Sequence, residues 1–408
     1  MDYQEALKKL EKHGQAHLLR YYGELPAAGQ EKLLAQIAAT DFAVLDSLQG
    51  QPLHAARGVI SPLAAMELAE IDKRRDEFTA LGLEVIRQGK AGAVLLAGGM
   101  GTRLGSDQPK GMYNIGLTRP VYIFGRLMEN LSDVVGQAGV SLPLYIMTSD
   151  KNHAATTAFF KEQNYFGYNQ DYITFFQQEM APATDYSGKV FLEGKDLVST
   201  SPNGNGGWYA SMIRGGVAGT AKKQGVEWLN VFAVDNVLQR MCDPVFIGAT
   251  IAAGCVSGAK VVRKSARDEK VGAICLEDGR PSIVEYYDMT EELLTANDEK
   301  GDPAYNFGVI LNYLFKVECL DAIIAKKLPL HIVEKKIPFL AADGQIVHPE
   351  APNGYKYESL VLDMIHEMDS CLPFEVERER EFAPIKNLRG VDSVESAREL
   401  CVKCGILL

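Results

Sequence analysis

The stretch AVLLAGGMGTRLGSDQPKGMYNIG, residues 93–116, decides how the rest of the chain is read. Its apolar opening, Ala93 to Ala97, reads as a buried strand. Gly98, Gly99, Gly101 and Gly105 end that strand and leave a loop without Cβ at four points, so backbone N–H groups can approach an anion closely. Arg103 and Lys110 add positive charge, and Pro109 stiffens the backbone just before the lysine. A strand, a glycine turn and two cations suit a polyphosphate. The P-loop pattern G-x-x-x-x-G-K-[ST] fails, because Lys110 precedes Gly111 and no Ser or Thr follows. The dinucleotide fingerprint G-x-G-x-x-G, counted from Gly99 and Gly101, needs a glycine where Leu104 stands, which disfavours a nicotinamide dehydrogenase. A glycine loop that only makes a tight turn is the plainer alternative, and Arg103, Pro109 and Lys110 weigh against it.

At 408 residues, with 47% hydrophobic and 23% charged, the chain has the make-up of a globular protein of two or three domains. No apolar run approaches the ~18 residues of a membrane span. The start, MDYQEALKKLEKHG, is charged and reads as a helix rather than a signal peptide, so a cytoplasmic protein is expected. Net charge is −11, which argues against nucleic acid as partner, while a local cluster of Arg and Lys can still take a small anion. Five of the seven cysteines stand singly, and the Cys401–Cys404 pair near the chain end reads as reduced thiols in a terminal helix.

Three regions are expected. Residues 1–89 read as helical, with Pro26 and the Gln51-Pro52 turn as breaks and a long helix from Asp72 to Gln88, capped near Asp72 and ended by Gly89. Residues 90–340 alternate strand and helix, which implies an α/β fold with a doubly wound, mainly parallel sheet. Predicted strands are 93–97, 143–148, 172–177, 228–234, 259–263, 271–276, 282–287 and 308–314. Predicted helices lie near 120–136, 151–163, 207–223, 243–253 and 316–326. Ligands of such sheets sit beyond the carboxyl ends of the strands, where the glycine loop falls. Residues 341–408 hold a helix near 356–368, a strand near 374–377 and a terminal helix.

Further stretches carry candidate chemistry. Phe175-Phe176-Gln177-Gln178 reads as a strand ending in two amides, suited to a uracil edge or simply to a strand end. Gly204, Asn205, Gly206 and Gly207 form a second glycine loop before Trp208, either a flat surface for a planar base or a plain helix entry. Asp235 ends an apolar strand and suits Mg²⁺, which takes one or two carboxylates plus substrate phosphates. Its alternative is a helix cap, although Asp243 already offers one. Glu285, Tyr286 and Asn306 are polar residues expected inside apolar strands, where sugar hydroxyls or nearby backbone would satisfy them. Lys335, Lys336 and Lys386 are cations between apolar neighbours that could face a phosphate or solvent.

Taken in order, LAGGMGTRLG, PKGMYNIG, FFQQ, NGNGGWY, VDN, GAKVV, VEY, YNFG, LPLHIVEKKIPF and REREFAPIKN resemble the UDP-sugar pyrophosphorylase family, above all its UDP-N-acetylhexosamine members, over residues 93–387. The resemblance implies a Rossmann-type nucleotide-diphospho-sugar transferase fold and a uridylyl transfer from UTP to a sugar 1-phosphate. The products would be UDP-sugar and pyrophosphate, with Mg²⁺ as cofactor. It assigns Leu96, Ala97, Gly98, Gly99 and Gly101 to the nucleotide, Arg103 and Lys110 to the triphosphate, and Gln178, Gly204 and Asn205 to uracil. Asp235 would stand near the metal, Glu285, Tyr286 and Asn306 near the sugar, and Lys336 and Lys386 near phosphates. N-acetylglucosamine 1-phosphate is the expected acceptor, with glucose or galactose 1-phosphate and a catalytically silent sugar-nucleotide sensor as alternatives. Two departures stand out. Glu179 replaces a glycine usual in the family, and the chain ends soon after Asn387, where eukaryotic relatives continue.

Overall fold

A computed structural model describes residues 1–46, 57–324, 326 and 328–408. The Gln51-Pro52 turn lies outside the described residues. The chain divides into two compact units, one of residues 1–56, 178–207 and 328–361, the other of 57–177, 208–327 and 362–408. Boundaries at 89 and 340 do not match this division. Residues 57–89 belong to the larger unit, and the chain enters the smaller one three times.

The larger unit is built on a ten-stranded sheet. Its strands are β1 (Ile60–Pro62), β2 (Ala91–Leu96), β3 (Leu144–Thr148), β4 (Ile173–Gln177), β5 (Trp228–Ala233), β6 (Ser257–Arg263), β7 (Ala273–Glu277), β8 (Arg280–Val284), β9 (Phe307–Lys316) and β10 (Cys371–Glu375). The order is β1-β7-β9-β5-β2-β3-β4, with β6 joining β9 to β10 and β8 beside β7. The expected α/β class holds. β5, β2, β3 and β4 run parallel, as do β6 and β10, while β9 is antiparallel to β5, β6 and β7. β2 and β3 are buried at every position, the pattern of strands covered on both faces. One apolar core runs from Met66 to Leu408 through Phe78, Phe124, Phe232 and Phe246.

Helix boundaries differ from expectation at three places. The helix expected over 72–88 is two, Leu68–Lys73 and Arg75–Arg87, because Arg74 leaves helical geometry at φ −117°, ψ 13°. Gly89 does end it, at φ +71°. The helix expected over 207–223 breaks into Trp208–Arg214 and Val217–Lys223 at Gly216, whose φ is +73°. The helix expected near 356–368 is strand Gly354–Glu358 followed by helix Val361–His366. No helix among the described residues is long and apolar enough to cross a membrane.

The smaller unit packs helices Tyr3–Lys12 and Ala27–Ala39 with short sheets, one of them formed by His331–Lys335, Gly354–Glu358 and Thr184–Asp185. Its core joins Leu10, Leu33 and Ile37 to Leu192, Val198, Leu340 and Tyr357.

In the larger unit, helices Arg75–Arg87 and Pro244–Ala252 meet backbone to backbone. A Cβ on Gly82 would lie 1.9 Å from Pro244 O, and one on Gly248 would lie 1.9 Å from Phe78 O. Gly219, in helix Val217–Lys223, would meet nothing within 4 Å. Gly248→Ala is therefore expected to lose about 1–3 kcal/mol through overpacking. Gly219→Ala should instead gain up to about 1 kcal/mol in helix propensity. Chemical denaturation of both variants checks this, and equal changes would contradict the close helix contact.

Candidate active site

Strand register brings the candidate residues of the larger unit to one end of the sheet. Leu96 lies opposite both Ala233 and Met147 in parallel pairing, so the loops after β2 and β5 start in one row. The antiparallel neighbours align their opposite termini there. Phe307 at the start of β9 pairs with Arg263 at the end of β6, and Val284 at the end of β8 pairs with Ala273 at the start of β7. The glycine loop, Asp235, Glu285 and Asn306 thus all leave the sheet at the same end.

The glycine loop is held from within. Gly101 N–H donates to Gln108 O at 2.8 Å and Lys110 N–H to Gly99 O at 3.2 Å, and Met100 bridges Pro109. Gly105 takes the left-handed conformation at φ +68°. A Cβ on Gly99 would meet nothing within 4 Å, so this glycine leaves open space rather than room for the protein's own atoms. Leu96 and Ala97 are buried and offer the loop only backbone, while Gly98 is half-buried and Gly101 is buried. On the far side of Lys110, a Cβ on Gly111 would lie 2.2 Å from the Phe124 ring, so that ring presses directly on the backbone next to the lysine.

Arg103 is exposed. Lys110 Nζ stands 3.5 Å from Asp235 Oδ2, both partly shielded from solvent. Asp235 lies two residues past the end of β5, and its alternative role is filled elsewhere, since Asp243 caps helix Pro244–Ala252 by accepting from Val245 N–H. The backbone of Asp235 accepts from Ile385 N–H at 2.9 Å, which brings the chain before Lys386 alongside it. The Lys386 ammonium itself donates to Asp392 Oδ2 at 2.9 Å.

Glu285 and Asn306 do not lie inside strands. β8 stops at Val284 and β9 starts at Phe307, so strand ends, not a buried interior, present these polar groups. Tyr286 is exposed. Asn306 O accepts from Lys264 N–H at 2.8 Å. Lys264 is a buried cation that sequence reading passed over, and burial pulls its pKa down.

In the smaller unit Gln178 is buried. The Glu179 carboxylate receives Asn203 Nδ2 at 3.4 Å, and Glu179 O receives Asn203 N–H at 3.1 Å, so the residue departing from the family pattern fastens the second glycine loop. The glycines of that loop also serve close packing. A Cβ on Gly204, at φ +88°, would lie 2.2 Å from Ser359 O, and one on Gly206 would lie 2.7 Å from Leu360. The room a Cβ would take at both positions is filled by the chain's own backbone. Asn205 Oδ1 accepts from Val361 N–H at 2.9 Å. Lys335 and Lys336 are exposed.

Two asparagines of the larger unit take roles that sequence reading did not give them. Asn152, fully buried, donates to Ala97 O at 2.8 Å and to Gly99 O at 3.3 Å, and accepts from Ser149 N–H at 2.8 Å. It pulls the carbonyls of the glycine loop inward. Asn236, also buried, donates to Glu381 O at 2.7 Å and accepts from Ala383 N–H at 2.9 Å, sewing the segment before Lys386 to the Asp235 turn. A cavity of about 620 Å³ lies in the same unit but holds none of the expected residues, and its four arginines are matched by four carboxylates, an ill fit for a polyphosphate.

This α/β sheet, with a glycine loop and a carboxylate at neighbouring strand ends, is the frame of a nucleotidyltransferase. The family described as UTP–glucose-1-phosphate uridylyltransferase matches residues 64–399, and the chain belongs to it. It is similar to "UDP-N-acetylhexosamine pyrophosphorylase-like protein 1" of Mus musculus, with 36% identity over 93% of this chain and 79% of the relative. It is equally similar to "UDP-N-acetylglucosamine pyrophosphorylase" of Saccharomyces cerevisiae, with 36% identity over 96% of this chain and 88% of the relative. In fold it matches the solved uridine diphosphate N-acetylglucosamine pyrophosphorylase from Trypanosoma brucei at a TM-score of 0.84, with 24% identity over 98% of this chain and 84% of that one.

Asn152→Ala strips Ala97 O and Ser149 N–H of a buried partner. A stability loss of about 1–3 kcal/mol is expected, with faster amide exchange at Gly101 and Lys110. Denaturation and hydrogen exchange together measure it, and unchanged loop exchange would count against the clamp.

Proposed function

We propose that the chain transfers the uridylyl group of UTP to a sugar 1-phosphate, forming UDP-sugar and pyrophosphate, with N-acetylglucosamine 1-phosphate as the preferred acceptor. The observation that carries this reading is the loose Lys110–Asp235 pair at the shared end of β2 and β5. The names of the mouse and yeast relatives support the choice of acceptor. The family description supports a second reading, glucose 1-phosphate as acceptor.

An oxygen of the sugar 1-phosphate attacks the α-phosphorus of UTP, and the bond from that phosphorus to the bridging oxygen of the leaving pyrophosphate breaks. The nucleophile is already an anion, so no proton has to move. Positioning and electrostatics then carry the catalysis. Arg103 meets the triphosphate, Lys110 turns from Asp235 to phosphate oxygen, and Lys386 exchanges Asp392 for phosphate. The roles of Gln178, Gly204 and Asn205 toward uracil, and of Glu285, Tyr286 and Asn306 toward the sugar, rest on the family resemblance, as does that of Lys336 toward phosphate.

Asp235 also suits Mg²⁺. It is a single carboxylate, and no group of three His, Cys, Asp or Glu among the described residues could hold an ion alone. That donor set fits a cation whose other ligands are phosphate oxygens and water. When bound, the ion would neutralise phosphate charge. A reducing, cytoplasmic setting suits the seven free cysteines.

Pyrophosphate release from UTP and Mg²⁺, measured with N-acetylglucosamine, glucose and galactose 1-phosphates, tests the reading. The N-acetylated acceptor is expected to be fastest, and no release with any of them would refute it. Lys110→Ala and Lys386→Ala should each slow turnover by at least ~10²-fold, the scale of losing one preorganised electrostatic contact. Near-normal turnover would remove that residue from the mechanism.

A further inference from the structure

The segment carrying Lys386 has no regular secondary structure of its own between helix Arg378–Glu381 and helix Val394–Lys403. Asn236 and Pro384 form a single antiparallel bridge, and the Asn236 carboxamide spans Glu381 O and Ala383 N–H. The anchor of this arrangement is Glu381. Its backbone faces Asn236, while its side chain turns inward to Lys260. Lys260, on β6, is 0% exposed, and its ammonium donates to Glu381 Oε2 at 2.6 Å, Asp243 Oδ2 at 3.0 Å and Arg240 O at 3.1 Å. All three of its donors are used.

Arg240 Nε, 3.5 Å from Asp243 Oδ1, supplies a second cation, so two positive groups meet two negative ones. Burial opposes the charge on Lys260, and the Asp243 and Glu381 carboxylates outweigh it, keeping its pKa above the ordinary lysine value. Replacing a buried ion cluster by apolar groups of similar volume is often neutral or stabilising. Stability alone therefore does not account for a lysine at this point, and the cluster's location does. It lies one hydrogen bond behind the turn that joins Asp235 to the Lys386 segment.

We infer that Lys260 is a positioning residue for the uridylyl transfer: by fixing Glu381, it holds the Lys386 segment in register with Asp235. This rests on the function proposed above.

Lys260→Met alone would leave two buried carboxylates facing each other and could unfold the chain. The informative variant is the triple change Lys260→Met, Asp243→Asn, Glu381→Gln, which removes the lysine and both carboxylates at nearly constant volume, leaves Arg240 paired with Asp133, and retains a helix cap. It is expected to keep a thermal midpoint near that of the unaltered protein and the KM for UTP within about twofold, while kcat falls at least tenfold. Adding Lys386→Ala to the triple variant should then cost much less than it does alone. Hydrogen exchange of peptides spanning 381–387 should accelerate.

A normal kcat in the folded triple variant overturns the inference, as does an undiminished Lys386→Ala effect in that background. A purely structural role for the cluster would move the thermal midpoint and leave the coupling to Lys386 absent. Should the unaltered protein show no uridylyl transfer, the functional reading fails separately. The exchange measurement still decides whether Lys260 holds the segment, and unchanged exchange refutes it.

Discussion

The register of β2 against its two parallel neighbours is the constraint on which the site depends. With Leu96 opposite Ala233 and Met147, the backbone leaves all three strands in one row. A slip of one residue would turn each fully buried side chain of β2 to the other face, and the core on both faces resists that. The antiparallel strand β9 extends the row without breaking it, because an antiparallel neighbour brings its opposite terminus to the same end. Groups far apart in sequence, from Gly98 to Asn306, are thus gathered by hydrogen-bond pairing before any of their side chains interact.

This end of the sheet sets cations against carboxylates. Net charge is −11, yet Arg103, Lys110, Lys264 and Lys386 collect near the strand ends. Lys110 and Lys386 each face one carboxylate, at 3.5 Å and 2.9 Å. Ion pairs between partly exposed groups stabilise by only about 0–1 kcal/mol. The two pairs therefore hold Lys110 and Lys386 in place without binding them tightly. At short range such cations outweigh a distant negative surface, which salt screens beyond about 10 Å.

Much of this was legible in the sequence. Short apolar runs closed by glycine or by a carboxylate mark strand ends, and both the 93–97 run and the run ahead of Asp235 are strands that end close to where they were read. What stayed hidden depends on partners remote in sequence. Nothing near Asn152 or Asn236 announces that one amide will gather the carbonyls of a loop more than fifty residues earlier and the other a segment some 145 residues later. Gly204 and Gly206 were read as a flat surface for a base or a plain helix entry, and the backbone of 359–360 that stands where their Cβ atoms would be cannot be foreseen from the loop. The two-unit division was equally out of reach, since it depends on the chain returning to the smaller unit at 178 and again at 328.

Strongly shifted ionisation is often a guide to catalytic groups, and here it picks out residues of the buried interior. The large shifts follow burial. The thiols of Cys242, Cys275 and Cys371 are pushed up to about 12, and the hydroxyls of Tyr145 and Tyr168 rise for the same reason. A reaction between two phosphate anions asks for no such group. Two unit charges 4 Å apart repel by about 1 kcal/mol in bulk water and about 4 kcal/mol at an effective dielectric constant of 20. The barrier to such a transfer is thus one of approach and charge, which calls for fixed cations rather than for a group poised to trade protons. The demand on the fold is geometric rather than acid–base, and strand register together with the two buried asparagines is where this chain meets it.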